Sequence, residues 1–149
     1  MRWYFASRMR HKKIIERIGD ILTSKNHRVV YEWSKSGSLK PYNENGEACS
    51  IMADEIGRAL RDVDVFVLIS DEGGTDMFIE LGIVIGRWLD DTAVRIYAVG
   101  NNNDRSLMHF HPAIRQRDTL RDVFSSECPE LLDREIVSLS AALNERRVT

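Results

Sequence analysis

Hydrophobic and polar positions along this chain follow two different spacings. Five short runs rich in apolar, aromatic or β-branched residues predict strands, because such runs suit the interior of a sheet. These strands are expected at residues 2–7, 27–33, 63–70, 94–100 and 106–112. Between them, apolar side chains recur every three or four positions, which predicts amphipathic helices. The helices are expected at residues 11–25, 47–61, 76–89 and 129–145, with a short segment at 118–124 before the last one.

Alternating strands and helices are typical of a parallel sheet covered by helices on both faces. We therefore predict an α/β fold, a flavodoxin-like three-layer sandwich with a five-stranded parallel sheet in the order 2-1-3-4-5. No internal repeat or linker divides the sequence, so residues 1–149 are expected to form a single domain. Sheets of this kind bind ligands where the strand order reverses. That place lies between the loops that follow the first and third strands.

Composition limits the partners and cofactors that we expect. The 149 residues are 43% apolar and 30% charged, as in a soluble globular protein, and the net charge of −2 gives no bulk attraction to a nucleic acid polymer or a membrane. Basic residues interrupt every early apolar run, and the apolar segment 77–89 is too short to span a bilayer, so a cytoplasmic protein is predicted. Cys49 and Cys128 lack metal-ligand spacing and are expected to be reduced thiols. No metal and no cofactor are predicted.

Glu80 is the residue in which position and chemistry combine best. It lies near the start of a helix that is otherwise apolar, on the flank of the stripe formed by Met77, Leu81 and Val84. An acid near a helix N-terminus can be a partly exposed charge that only complements the helix dipole. A carboxylate in apolar surroundings can instead act as a nucleophile or as an acid and base. The pattern alone leaves both interpretations open.

The two loops that should meet beside Glu80 supply candidate substrate-binding residues. The loop after the first strand offers a possible phosphate cradle, formed by Ser7, Arg8 and Arg10. Basic residues at a solvated helix start would explain this loop equally well. The loop after the third strand contains Asp71, Gly73, Gly74 and Asp76. Its glycines allow a ligand to approach the backbone, whereas its acids are candidates for a helix cap or for catalysis.

Three further candidates belong to the strands or their ends. Tyr4 lies inside the first strand near its exit, where a tyrosine usually packs and ties its hydroxyl to a partner. Asp64 lies at the start of the third strand, where a cap or a salt bridge is the alternative to a catalytic role. Trp33 could offer an aromatic surface to a base or could simply pack. The long polar segment at residues 34–46 is expected to be a loop with a functional role.

The stretches "WYFAS", "DVDVFVLIS" and "GGTDMFIELG" resemble, in their order and spacing, the nucleoside 2-deoxyribosyltransferase superfamily, including its nucleotide N-glycosidase branch. The most specific part is the small-residue loop followed by "ELG" at residues 80–82. The resemblance implies a flavodoxin-like sheet and cleavage or exchange of an N-glycosidic bond. It also implies that Glu80 is the nucleophile, that Tyr4 orients it, and that Asp64 or Asp71 is the acid that handles the base.

These observations together predict cleavage or transfer at the N-glycosidic bond of a nucleoside or nucleoside 5′-monophosphate. The basic first loop, "SRMRHKK", and the lack of an evident C-terminal asparagine motif favour a phosphorylated ligand and hydrolysis. A non-catalytic nucleotide-binding module and a TIR-like NAD glycohydrolase remain the alternatives, since one fold hosts many functions. We also expect a homodimer or larger homo-oligomer, because the resemblance suggests one and because residues 76–89 are apolar around most of the helix.

Overall fold

The computed structural model describes residues 1–145 and has a five-stranded sheet in which all strands are parallel. The order is β2-β1-β3-β4-β5, which confirms the predicted flavodoxin-like arrangement. The strands are β1 (Arg2–Ala6), β2 (Arg28–Val29), β3 (Val65–Ile69), β4 (Arg95–Val99) and β5 (Ile114–Arg117). Every residue of β3 is buried, as its unbroken apolar run requires at the centre of a parallel sheet.

Five α-helices cover the two faces of this sheet. They are α1 (Lys12–Ser24), α2 (Gly46–Ala59), α3 (Asp76–Asp90), α4 (Leu120–Glu127) and α5 (Arg134–Asn144). Helix α5 contacts both α1 and α4 on one face, and right-handed crossovers place α2 and α3 on the other. Helix α3 buries Met77, Leu81, Val84 and Ile85, as its apolar stripe predicts. Within residues 1–145 no helix combines the length and the apolar character needed to cross a bilayer.

The last predicted strand was wrong. Residues 106–112 do not form a strand; a 3-10 helix covers Leu107–Phe110, and β5 begins only at Ile114. Ser106 caps this 3-10 helix through reciprocal hydrogen bonds with His109, whose ring is buried. The true strand reads Ile-Arg-Gln-Arg and has no apolar alternation, because an edge strand tolerates charged side chains.

Two other boundaries also differ from the prediction. Strand β2 is limited to two residues instead of 27–33, because the chain turns into a 3-10 helix at Trp33–Lys35. The last helix begins at Arg134 rather than at residue 129. Asp133 caps it by accepting a hydrogen bond from the Ile136 backbone N–H at 2.9 Å, after a separate 3-10 helix at Pro129–Leu131.

Candidate active site

A cavity of about 400 Å³ opens beside α3 at the carboxyl edge of the sheet. Its walls come from α2, α3, the end of β1 and the segment that follows β2. The volume lies in the range of small-molecule sites. Four of the predicted site residues line it: Ser7, Trp33, Asp76 and Glu80. The structure therefore brings Glu80 to a cavity where the strand order reverses.

Glu80 is the fifth residue of α3, and its half-buried side chain faces this cavity. Burial raises the pKa of its carboxyl from 4.5 to about 7, because the ionised form loses hydration. The Tyr4 hydroxyl opposes this shift and lowers the pKa, whereas the negative charge of Asp76 raises it further. At neutral pH Glu80 is therefore divided between a protonated acid and an ionised carboxylate.

Tyr4 lies behind Glu80, in the sheet. Its ring is fully buried and stacks on Phe66 with the centroids 5.7 Å apart. Burial raises the pKa of the Tyr4 phenol well above its usual value, and the Glu80 carboxylate raises it further. The hydroxyl makes no hydrogen bond to any residue in the described range 1–145, so its geometry to Glu80 falls short of one. A buried phenol without a partner is a donor held ready for an ionised Glu80.

Asp71 does not line this cavity; it joins the loop after β3 to the loop after β1. The buried carboxylate lies 3.3 Å from Arg8 Nη1 and 2.5 Å from Arg10 Nη2, and it accepts a hydrogen bond from the Gly73 backbone N–H at 3.2 Å. His11 Nε2 is 3.7 Å away. Burial alone would raise the pKa of Asp71, but the Gly73 N–H and the two guanidinium groups hold it below its usual value. Asp71 is therefore a fixed anion that organises the loops.

The two glycines of this loop lie close to the ends of the Arg8 and Met77 side chains. A Cβ on Gly73 would lie 2.9 Å from Arg8 Nη1, so a side chain there would displace the guanidinium group. Gly74 has φ +92°, and a Cβ there would lie 2.9 Å from Met77 Cε. Arg105 Nη1 donates to the Gly73 carbonyl at 2.7 Å and secures the loop from the other side. The glycines leave room for the Arg8 and Met77 side chains, and neither glycine lines the cavity.

The remaining cavity residues have defined partners. Trp33 is buried and donates its indole N–H to the Phe5 carbonyl at 2.6 Å, which fixes its ring in the wall. The Asp76 carboxylate accepts a hydrogen bond from the Tyr42 hydroxyl at 3.1 Å. The Ser7 hydroxyl donates to the Arg8 carbonyl at 3.0 Å. Tyr42 belongs to the long polar segment predicted at residues 34–46, and its bond to Asp76 ties that segment to α3.

The structure separates Asp64 from the rest of the candidate site. Asp64 comes just before β3 and lies at the amino edge of the sheet, whereas Glu80 lies at the carboxyl edge. Its carboxylate accepts hydrogen bonds from the Arg2 backbone at 2.7 Å and the Arg2 side chain at 3.1 Å. Burial alone would raise its pKa, but these contacts with Arg2 keep the pKa below its usual value. Asp64 therefore forms a salt bridge with Arg2, which was the alternative to a catalytic role.

Sequence reasoning did not find Lys40 as a cavity residue. Lys40 lies in the long segment after β2, as Tyr42 does, and Met52 and Ile56 of α2 add apolar surface to the same wall. The unusual length of that segment was the available signal. The length of the segment indicates a functional role but does not identify which of its side chains line the cavity.

One group of potential metal ligands occurs among the described residues, and it is remote from the cavity. His27, Cys128 and Glu130 have ligand atoms within 4.8 Å of one another, near the amino edge of the sheet. The His27 Nδ1 already accepts a hydrogen bond from the Trp3 indole at 3.1 Å, and burial raises the pKa of the Cys128 thiol to about 12. This group therefore cannot place a metal beside Glu80.

The fold is similar to that of a known nucleotide-processing enzyme. The structure of the CMP N-glycosidase BcmB from Clostridium botulinum aligns with 95% of this chain and 98% of its own, at a TM-score of 0.51 and 16% sequence identity. At this identity the similarity shows a shared fold, in agreement with the resemblance seen in the sequence. No protein-family model matches the sequence, and neither does any curated protein.

Proposed function

We propose that this protein cleaves or transfers the N-glycosidic bond of a nucleoside or nucleoside 5′-monophosphate, with Glu80 as the nucleophile. The observation that carries the proposal is the Glu80 carboxyl, which faces a cavity of about 400 Å³ and has a pKa of about 7. The shared fold with a CMP N-glycosidase supports the same reaction class.

In this reaction an ionised Glu80 oxygen forms a bond to the anomeric carbon of the sugar. The bond between that carbon and the base nitrogen breaks, and its electron pair leaves with the base. Positive charge builds on the sugar in the transition state, and a carboxylate held beside it lowers the barrier. The base takes up a proton as it leaves. We assign to Asp76, the other carboxylic acid among the described residues of the cavity wall, the relay of this proton from solvent to the base.

Tyr4 has a positioning role in this scheme. Its hydroxyl can donate to ionised Glu80 and so hold the carboxylate in the attacking orientation. The glycosyl ester that results is then opened by water, which gives free sugar, or by a second base, which gives a new nucleoside. The choice between these two acceptors separates a hydrolase from a transferase.

The experiment is an incubation with a panel of nucleosides, nucleoside 5′-monophosphates and NAD, followed by chromatography for free base. We expect base release by the wild type and a loss of at least about a thousandfold in Glu80→Gln, which keeps the shape but removes the nucleophile. Glu47→Gln is the matched control, because Glu47 is exposed in α2 and does not line the cavity. Unchanged turnover in Glu80→Gln would refute the assignment.

The same panel tests the two alternative functions. Tight nucleotide binding with no free base from any compound would favour a non-catalytic sensing module. Release of nicotinamide from NAD alone would favour a NAD glycohydrolase. Either result would replace the proposed reaction.

We also propose that the protein forms a homodimer through the outer face of α3. Ile79 is 61% exposed and Ile83 41% exposed on this helix, at the rim of the cavity that both residues help to line. The neighbouring 3-10 helix exposes Leu107 and Phe110 and contacts α3 through the His109 and Phe78 rings. An exposed apolar surface of this kind is typical of a protein interface. Sedimentation of the wild type and of Ile79→Asp tests this: a wild-type monomer at micromolar concentration would contradict it.

A further inference from the structure

We infer that Lys40 selects a phosphorylated substrate, and that Arg8 and Arg10 do not. This inference rests on the proposed function and names the chemical class of the substrate as a nucleoside carrying a 5′-phosphate. It moves the phosphate contact from the loop after β1 to the segment after β2.

Arg8 and Arg10 are poorly placed to meet a ligand in the cavity. Both guanidinium groups are engaged by the buried Asp71 carboxylate, and neither is among the residues that line the cavity. Gly73 further fixes Arg8, since the guanidinium group lies directly against that residue. Turning either arginine toward the cavity would remove one of the two guanidinium partners of the buried Asp71 carboxylate, which is costly.

Lys40 has the opposite environment. Of the described residues that line the cavity, Lys40 alone carries a permanent positive charge. Within residues 1–145 its ammonium group has no carboxylate within 4.0 Å. The ammonium nitrogen lies 5.7 Å from the centroid of the Tyr42 ring, and the Tyr42 hydroxyl is held by Asp76. The cation is therefore positioned at the cavity wall but not neutralised.

The acidic side chains of the cavity wall would repel an anionic substrate unless a cation such as Lys40 offset them. Asp76 and Glu80 are the acids of the wall, and either one in its ionised form repels a phosphate. Lys40 offsets this repulsion, and the hydroxyl group of Ser38, which also lines the cavity, can donate a hydrogen bond to a phosphate oxygen. Without Lys40 the cavity would hold acids alone and would favour an uncharged nucleoside.

The test compares each nucleoside 5′-monophosphate that is cleaved with its parent nucleoside. Lys40→Gln should lower kcat/KM for the nucleotide by roughly 10- to 100-fold, the loss expected of one hydrogen bond to a charged group, and leave the nucleoside nearly unchanged. Lys40→Arg should restore most of the loss because it retains the charge. Lys25→Gln is the control, since Lys25 is exposed at the end of α1 and does not line the cavity.

Arg8→Gln distinguishes the two possible phosphate contacts. Because Arg8 supports the Asp71 cluster, its loss should affect nucleotide and nucleoside to the same degree. A nucleotide-specific loss in Arg8→Gln, or equal losses for both ligands in Lys40→Gln, would overturn the inference.

A binding measurement separates this inference from the proposed reaction. Calorimetry in a Glu80→Gln background measures nucleotide affinity without turnover, with and without Lys40→Gln. A nucleotide-specific loss of affinity supports the Lys40 assignment even if the wild type releases no base. Equal nucleotide affinities of Glu80→Gln with and without Lys40→Gln would overturn the inference, as would a complete lack of nucleotide binding.

Discussion

The raised pKa of Glu80 has a measurable consequence for stability, which the substitution Glu80→Gln exposes. In the unfolded chain a glutamate ionises near 4.5, whereas burial in the folded protein raises the pKa of Glu80 to about 7. Between these two values the folded state holds a proton that the unfolded state has released. Ionisation of Glu80 therefore destabilises the wild type progressively as the pH rises from below 4.5 to above 7, while glutamine, which cannot ionise, adds no such pH dependence.

The size of the effect follows from the two pKa values. Ionisation of Glu80 should cost the wild type about 1 kcal/mol by about pH 5 and about 3 kcal/mol by about pH 8, relative to the fully protonated carboxyl. The free energy of unfolding of Glu80→Gln, compared with that of the wild type, should therefore rise by about 2 kcal/mol between about pH 5 and about pH 8. A salt-bridged carboxylate has a lowered pKa, so its contribution to stability changes with pH in the opposite direction.

Urea unfolding followed by circular dichroism at the two pH values measures this difference. Glu47→Gln, at an exposed position of α2, serves as the control and should show little pH dependence relative to the wild type. If the difference between Glu80→Gln and the wild type is the same at both pH values, the carboxyl is not desolvated and the argument fails. A fall in the stability of Glu80→Gln relative to the wild type, from the lower pH to the higher, would refute it as well.

Three further predictions concern the residues around Glu80. Tyr4→Phe removes the hydroxyl that lowers the pKa of Glu80, so the acidic limb of the pH–rate profile should move to higher pH; an unmoved limb would exclude an interaction between them. Gly74→Ala should cost roughly 1–3 kcal/mol in thermal unfolding because of the positive φ of Gly74, and a neutral result would contradict that strain. Asp71→Asn should cost about 3 kcal/mol near neutral pH and less in acid, because the lowered pKa of Asp71 gives stability that the wild type loses as the pH falls; a cost independent of pH would count against this.

The centre of the fold was predictable because its signals are local and strong. The uninterrupted apolar run at residues 65–69 cannot be exposed, and the stripe of Met77, Leu81 and Val84 fixes the inner face of α3. The edge of the sheet was not predictable in the same way. At β5 the charged sequence Ile-Arg-Gln-Arg is stabilised by backbone pairing to β4, which hydrophobic patterning does not report.

The position of a site residue could be predicted where it follows from the helix or strand that carries the residue. It could not be predicted where it depends on contacts with distant parts of the chain. Glu80 lies at the carboxyl edge because α3 begins there. Asp64 precedes the strand that Asp71 follows, so the two acids necessarily lie at opposite edges of the sheet, and the pattern itself weighs against Asp64. The engagement of the loop arginines by Asp71 and the place of Lys40 in the cavity wall depend on tertiary contacts that no spacing encodes.

The central claim is a covalent bond between Glu80 and the sugar, and mass spectrometry tests it directly. A substrate analogue with fluorine at the sugar 2′ position slows both formation and breakdown of a glycosyl ester, so that an intermediate can accumulate. Intact-protein mass spectrometry followed by peptide mapping should then find one sugar attached to Glu80 in the wild type and none in Glu80→Gln. A sugar attached to another carboxylate, or analogue turnover with no attachment to Glu80 at any time, would contradict the account.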